Sequence, residues 1–272
     1  MSVTSLRVPY EADIAPAAAL LADSTRAVML QALLDGRPLA AGELARIAGV
    51  SAATASAHLA KLLDGGMITC MRQGRHRYYR LSGHEVAAAL EAISLISKDI
   101  PVRSLRQSRE AAALAGARTC YDHLAGQAGV ELFQALLRSG ILQEQSYGTE
   151  RGDPHNATLD VTAAGTETLL SFGINVGELR RGRRRFAGTC LDWTQRSRHL
   201  NGALAAAITA RLFELGWIEC GQRRRAVVVT PLGRQGLAGT FGCVTRGGRP
   251  EGDPPEPPRP LRSPAVASPP PL

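Results

Sequence analysis

Two short stretches of the chain carry the residue types from which metal centres and nucleophilic sites are built. Residues 118–126 read RTCYDHLAG, and residues 188–202 read GTCLDWTQRSRHLNG. Both contain Thr-Cys, Asp two residues after the Cys, and a closing His-Leu-x-Gly. Cys and His are the donors favoured by zinc and similar borderline-soft ions, and four of them complete a tetrahedral shell. Cys120, His123, Cys190 and His199 are therefore a candidate set for a divalent transition metal such as zinc, provided the two stretches pack about a pseudo-two-fold axis. Cys-x2-His is workable ligand spacing, whereas Cys-x8-His is not a standard one. Cys120 and Cys190 alone would be a thiol redox pair. A Cys/His/Asp nucleophile is a third possibility. It lacks an oxyanion loop and a strand-to-helix elbow, so an enzyme is not expected. The structural alternative makes Cys120 and Cys190 small buried residues and Asp122 and Asp192 helix N-caps, Asp192 pairing with Gln195 in a capping box.

The rest of the chain must position these residues. It has 272 residues, 44% of them hydrophobic, enough for one large domain or several small ones. The formal net charge of +8 favours an acidic partner, nucleic acid above all. Five widely spaced cysteines do not form a secreted disulfide framework. The expectation from the sequence is of neither a signal peptide nor an apolar run of membrane-spanning length. A soluble, cytoplasmic protein that does not engage a membrane is the expectation.

The first hundred residues read as short helices followed by a hairpin. Leu21, Val28, Leu30, Leu33 and Leu34 recur at helical spacing until Gly36. Residues 40–49 make a second short helix with Leu44, Ile47 and Ala48 on one side. A turn at Gly49 leads to a third helix with Ser51 as N-cap. There Ala55, Leu59 and Leu62 face inward and Thr54, Ala57 and Lys61 outward, with Ser56 and His58 on the flanks. Two short helices joined by a tight turn form a helix-turn-helix pattern. The following stretch, residues 67–83, reads as a hairpin turning at Gln73-Gly74, with Arg72, Arg75, His76 and Arg77 at its tip. A basic hairpin beside a recognition helix is a wing for phosphates or the minor groove. The expected DNA contacts are therefore Ser51, Thr54, Ser56, His58, Lys61, Arg72, Arg75 and Arg77. After the wing, Val86, Leu90, Ile93 and Ile96 form an apolar helical stripe that needs a partner, most simply a second subunit.

Residues 15–98 resemble the ArsR/SmtB family of winged-helix repressors. The resemblance rests on LADSTR at residues 21–26, ELA at 43–45, S-x-x-T-x-S-x-H-L from Ser51 to Leu59, and G-R-x-x-Y-Y-x-L from Gly74 to Leu81. It implies a homodimer built by the first helix and the helix after the wing, reading a palindromic operator in double-stranded DNA with the helix of Thr54, Ser56 and His58. Two departures stand out. Ala53 and Ala57 occupy outward positions that often hold Gln or Arg, which shifts affinity toward wing and phosphate contacts. Ala45, Arg46 and Ile47 stand where some members have Cys-x-Cys, and the helix after the wing offers only His84 and Glu85, so metal sites patterned on those members would fail here.

A pattern recurs along the chain. KLLDGGMI, ALLRSGIL and RLFELGWI each read as a helix ending at Gly and leading into a strand. Gly66 and Gly83 are 17 residues apart, as are Gly216 and Gly233; Gly140 and Gly165 are 25 apart, an insertion of 8. His123 to Gly140 and His199 to Gly216 are both 17. Together these spacings suggest a mainly α chain with small β-hairpin wings (α+β), built from tandem winged helix-turn-helix units. Arg223, Arg224 and Arg225 sit where the wing tip of the third unit would be. The expected division is an arm at 1–14, a DNA-binding domain at 15–98, a linker helix at 99–117, a second unit at 118–178, a basic linker at 179–187, a third unit at 188–240, and a disordered Pro-rich tail at 241–272. The reading is a DNA-binding transcriptional regulator, a repressor released from its operator by a metal ion or other small effector. The alternative is an effector-free architectural DNA-binding protein.

Overall fold

The computed structural model describes residues 12–98, 100–145 and 158–245. Most of the N-terminal arm, the inserted part of the middle hairpin and residues 246–272 of the tail lie outside the described residues; the tail expected from residue 241 cannot begin there, because Phe241 and Cys243 are buried in the hydrophobic core.

The first domain contains α1 (Ala15–Leu21), α2 (Ser24–Ala32), β1 (Leu39–Ala40), α3 (Ala41–Ala48), α4 (Ala52–Asp64), β2 (Ile68–Gln73), β3 (His76–Leu81) and α5 (His84–Ile96). Asp23 breaks the expected first helix in two, because its extended backbone and side chain cap α2 by accepting from the Arg26 amide at 2.9 Å. Leu30, Leu33, Leu44, Leu59, Leu62 and Leu81 are fully buried around one core. Val28 does not join them: at 37% exposure it faces outward, and Met29 takes the core position. The three strands order as β1-β3-β2, all antiparallel. The wing turns on Gly74 and Arg75, one residue later than the sequence pattern suggested, with Gln73 opposite His76. On α5 the apolar stripe splits. Leu90 packs into the domain's own core at 8% exposure, while Ile93 and Ile96 stand out at 39% and 85%.

After α6 (Leu105–Gly116), one element order runs twice. First come β4 (Arg118–Cys120), β5 (His123–Ala125), α7 (Gly126–Arg138), β6 (Leu142–Gln145), β7 (Thr158–Val161) and α8 (Ala163–Ser171). The short α9 (Val176–Arg181) intervenes, so the basic linker expected at 179–187 starts inside a helix. Then follow β8 (Gly188–Leu191), β9 (Arg198–Asn201), α10 (Ala203–Glu214), β10 (Ile218–Cys220), β11 (Val227–Val229) and α11 (Pro231–Phe241). Helix, hairpin and helix recur in all three parts of the chain. The equivalent glycines Gly66, Gly140 and Gly216 all turn with positive φ. Thr162 and Thr230 cap α8 and α11. Three residues on, Gly165 and Gly233 leave no room for a Cβ, which would meet the carbonyl oxygens of Ile141 and Trp217. Gly83 differs, since it is itself the cap residue of α5.

The helix-turn-helix occurs once among the described residues. In the two later units a β-hairpin stands where α3 would be. The Thr-Cys-x-Asp motif closes a strand and enters its hairpin turn instead of starting a helix, so Asp122 and Asp192 are not helix N-caps. Asp192 instead closes a turn, accepting from the Thr194 and Gln195 amides. These units share one core, with α7 lying on β9 of the other unit and α10 on β5. The exchange is tied by the Leu124 amide donating to Thr209 Oγ1 at 2.9 Å.

Candidate metal centre and nucleic-acid interface

Cys120 and His123 face each other across β4 and β5, and Cys190 and His199 across β8 and β9. Cross-strand partners point to the same side of a hairpin, which is why each short motif delivers two donors together. Crossed packing of α7 and α10 then brings the hairpins face to face. The four donor atoms all lie within 4.8 Å of one another. A tetrahedral ion with bonds of 2.0–2.3 Å needs its donors about 3.3–3.8 Å apart, a contraction of about an ångström. The fold therefore unites donors from two repeats whose cysteines, Cys120 and Cys190, are 70 positions apart.

The surroundings fit an ion. His123 and His199 are fully buried and their rings stack at 5.2 Å. Neither ring nitrogen of His199 has a hydrogen-bond partner, an expensive arrangement for a buried imidazole with nothing to bind. Each histidine also has a carboxylate behind it, the usual outer support of a metal-bound imidazole. Asp122 Oδ1 lies 3.4 Å from His123 Nδ1, and Asp192 Oδ2 lies 3.9 Å from His199 Nδ1. These are the repeated Asp residues of the two motifs. Asn201 Nδ2 donates to the Cys190 sulfur at 2.9 Å.

Electrostatics divide the donors. Burial, reinforced by the charge of His123, pushes His199 down to about 3, so it is neutral and ready to coordinate near neutral pH. His123 moves the other way: burial opposes its charge, but the Asp122 carboxylate and the Cys190 sulfur outweigh burial and raise it. The two thiols act as a pair. Cys120 lends its proton toward Cys190, which lowers Cys190, while that contact and then burial raise Cys120. For Asp192, burial is overcome by the Arg118 charge and the Thr194 hydroxyl, and the carboxyl sits at about 2.

The centre lies against the first domain. From that domain, His84 at the start of α5 places its ring 6.2 Å from that of His123. Between the ligands of the first hairpin, the Tyr121 amide donates to the Leu34 carbonyl at 2.7 Å. The arginines expected at a third wing tip are turned onto the same domain and α6. Arg223 pairs with Glu110, Arg224 donates to the Ala32 carbonyl at 2.9 Å, and Arg225 pairs with Glu91. Of the basic linker, Arg180 pairs with Asp160 and Arg184 with Asp122. Nothing in the sequence signalled these inward pairings, because each depends on a carboxylate or carbonyl distant along the chain.

The expected DNA-facing residues lie on α4 and the wing. Ala55, Leu59 and Leu62 are buried, leaving Thr54, Ala57 and Lys61 exposed. Ser51 Oγ accepts from the Thr54 amide at 3.2 Å, so its first role is the cap. Ser56 Oγ donates to the Ala52 carbonyl at 2.9 Å. His58 is half-buried, with Nδ1 3.6 Å from Asp23, and so stands away from the outward face. Arg72, Arg75 and Arg77 are all exposed on the wing.

A winged helix carrying a two-repeat extension with a buried Cys2His2 cluster defines a nucleic-acid-binding chain with a candidate metal centre. Residues 21–70 match the family model described as a helix-turn-helix domain. The chain is 40% identical over 222 residues to the uncharacterized HTH-type transcriptional regulator YdfF of Bacillus subtilis, covering 82% of this chain and 94% of that one. It is also 34% identical over 86 residues to the HTH-type transcriptional regulator YgaV of Escherichia coli, covering 30% of this chain and 87% of that protein. Among solved structures, it is similar to the homodimeric winged helix-turn-helix domain of a possible ArsR-family regulator from Mycobacterium bovis, at 30% identity, 30% coverage of this chain, 76% of that one and a TM-score of 0.28. The chain belongs to the HTH-type transcriptional regulators. Among its described residues, no single helix is long and apolar enough to cross a membrane.

Proposed function

We propose that the protein is a transcriptional repressor, active in the cytoplasm as a homodimer on a palindromic operator, and that a divalent metal ion such as zinc at Cys120, His123, Cys190 and His199 releases it. The observation that carries this reading is the burial of four soft donors from two repeats at one point, with His199 unpartnered at both nitrogens. Outward Ile93 and Ile96 on α5 supply the apolar face for a second subunit. The output is a change in DNA affinity rather than catalysis. An ion that binds the operator-free geometry more tightly weakens DNA binding by that difference in affinity.

The test uses chelator-treated protein and a duplex selected from a random library with metal-free protein. Zinc should bind with a stoichiometry near one per chain and weaken DNA binding about 5–150-fold. Failure to bind zinc, or DNA affinity unchanged by bound zinc, would refute the proposal. A second reading, an effector-free architectural binder, draws on exposed Ala53 and Ala57, which offer bases no hydrogen bonds. It requires a specificity ratio near unity against competitor DNA.

A further inference from the structure

The winged helix and the proposed metal centre belong to different parts of the chain, yet a buried chain of charges joins them. Arg118 is fully buried at the start of β4, two residues before Cys120. Its guanidinium lies 3.0 Å from Asp192 Oδ2 and 3.5 Å from Glu91 Oε2. Asp192 follows Cys190 by two residues and backs His199. Glu91 is 2% exposed on α5, the helix that follows the wing and carries Ile93 and Ile96. Trp193 covers the arginine, its ring centroid 5.0 Å from Cζ.

We propose that the Asp192–Arg118–Glu91 chain is the coupling element through which occupancy of the four-residue centre reaches α5. This rests on the metal-responsive reading above and names how that site would regulate DNA binding. An ion held by one nitrogen of His199 leaves the other as an N–H that needs an acceptor, and Asp192 is the carboxylate beside it. Asp192 Oδ2 already accepts from the Gly126 amide at 2.6 Å and from Arg118. Drawing it onto His199 redistributes its hold on Arg118, and with it the hold of Arg118 on Glu91. The contraction needed to close the donors around an ion moves β4 and β8, the strands on which this chain is anchored. A buried ion pair is sensitive to such a shift, because neither charge can fall back on water. At the other end of the hairpin, the Tyr121–Leu34 hydrogen bond keeps the ligand turn on the first domain, so the movement is passed on instead of being absorbed in a free loop.

Glu91→Gln tests this. It keeps the shape of the side chain and leaves Arg118 on Asp192, but removes the charge by which α5 holds both Arg118 and Arg225, whereas Arg118→Lys changes the first of these pairs alone. The quantities measured are zinc affinity, affinity for the selected duplex, and the ratio of duplex affinities without and with saturating zinc. The wild type should show a ratio of at least about 5. Glu91→Gln should bind zinc within about threefold of the wild type and still bind DNA, with the ratio collapsed toward one; a purely structural role would lower both affinities and leave the ratio alone. A wild-type ratio in Glu91→Gln overturns the proposal. If Glu91→Gln does not fold, Arg118→Lys takes its place, since lysine keeps the buried positive charge but cannot bridge two carboxylates as a guanidinium does; an undiminished ratio there overturns it equally. Wild-type protein that fails to bind zinc refutes the metal reading itself, a result distinct from zinc binding whose effect on DNA survives these substitutions.

Discussion

His199→Leu should remove most of the stability that zinc adds to the metal-free protein. In the metal-free state, His199 is fully buried with both ring nitrogens unpartnered. An unsatisfied buried polar atom costs about 1–3 kcal/mol. Leucine removes that cost at both nitrogens, about 2–6 kcal/mol in all, while its different shape in a packed core and the loss of the contact with Asp192 take back a comparable amount, about 1–3 kcal/mol for the shape alone. Metal-free His199→Leu should therefore melt close to the wild type. Zinc at 100 times its dissociation constant adds about 2.7 kcal/mol to the wild type by mass action. In a folded region of this size, 1 kcal/mol moves the melting temperature by about 2–4 °C, so the expected rise is about 5–11 °C. His199→Leu, with three donors left, should gain little. Differential scanning fluorimetry in chelator and in zinc, with the dissociation constant set by a chromophoric competitor, measures all four states. An equal zinc shift in both proteins would refute the assignment of His199 as a ligand. A metal-free His199→Leu that melts far below the wild type would show instead that the imidazole is a core residue held by its packing.

Three further outcomes are expected. Arg75→Ala/Arg77→Ala should weaken binding to all duplexes alike and flatten the slope of log affinity against log salt by about 1.8, two phosphate contacts at 0.9 each; an unchanged slope would remove the wing from the interface. Ile93→Asp should give a folded monomer that no longer binds the operator, because a charge would be buried on both sides of a two-fold contact, whereas Leu90→Asp should unfold the first domain; sedimentation and circular dichroism separate these results. Acidification should destabilise the metal-free wild type more than His199→Leu between about pH 6.5 and pH 3: the folded value of about 3 lies below that of the unfolded histidine, so only the unfolded chain takes up the proton. Urea titrations across that range that are parallel for the two proteins would contradict the burial of a neutral His199.

The sequence alone determined the features that depend on neighbours a few residues apart. Ala55, Leu59 and Leu62 lie one helical turn from each other, so their inward face and the outward set with Thr54 and Lys61 follow from 3.6-residue periodicity. Ser51 at the start of α4 and the glycines at the helix ends are equally local, since a cap or a left-handed turn is settled by one side chain and its adjacent amides. The duplicated Thr-Cys-x-Asp and His-Leu-x-Gly also showed that two units share a plan. Whether those motifs open helices or hairpins, and whether the duplicated donors meet, was decided only in three dimensions. Cys120 comes within reach of Cys190 because strand pairing puts each Cys opposite its own His and because α7 and α10 cross onto each other's hairpins. The same holds for the charges. Arg223, Arg224 and Arg225 read as a basic wing tip until Glu110, the Ala32 carbonyl and Glu91 are folded against them, and the burial of Arg118 between Glu91 and Asp192 is visible only in the fold. A partner 27 or 74 residues away leaves no mark in local spacing; only the closed chain brings it into contact.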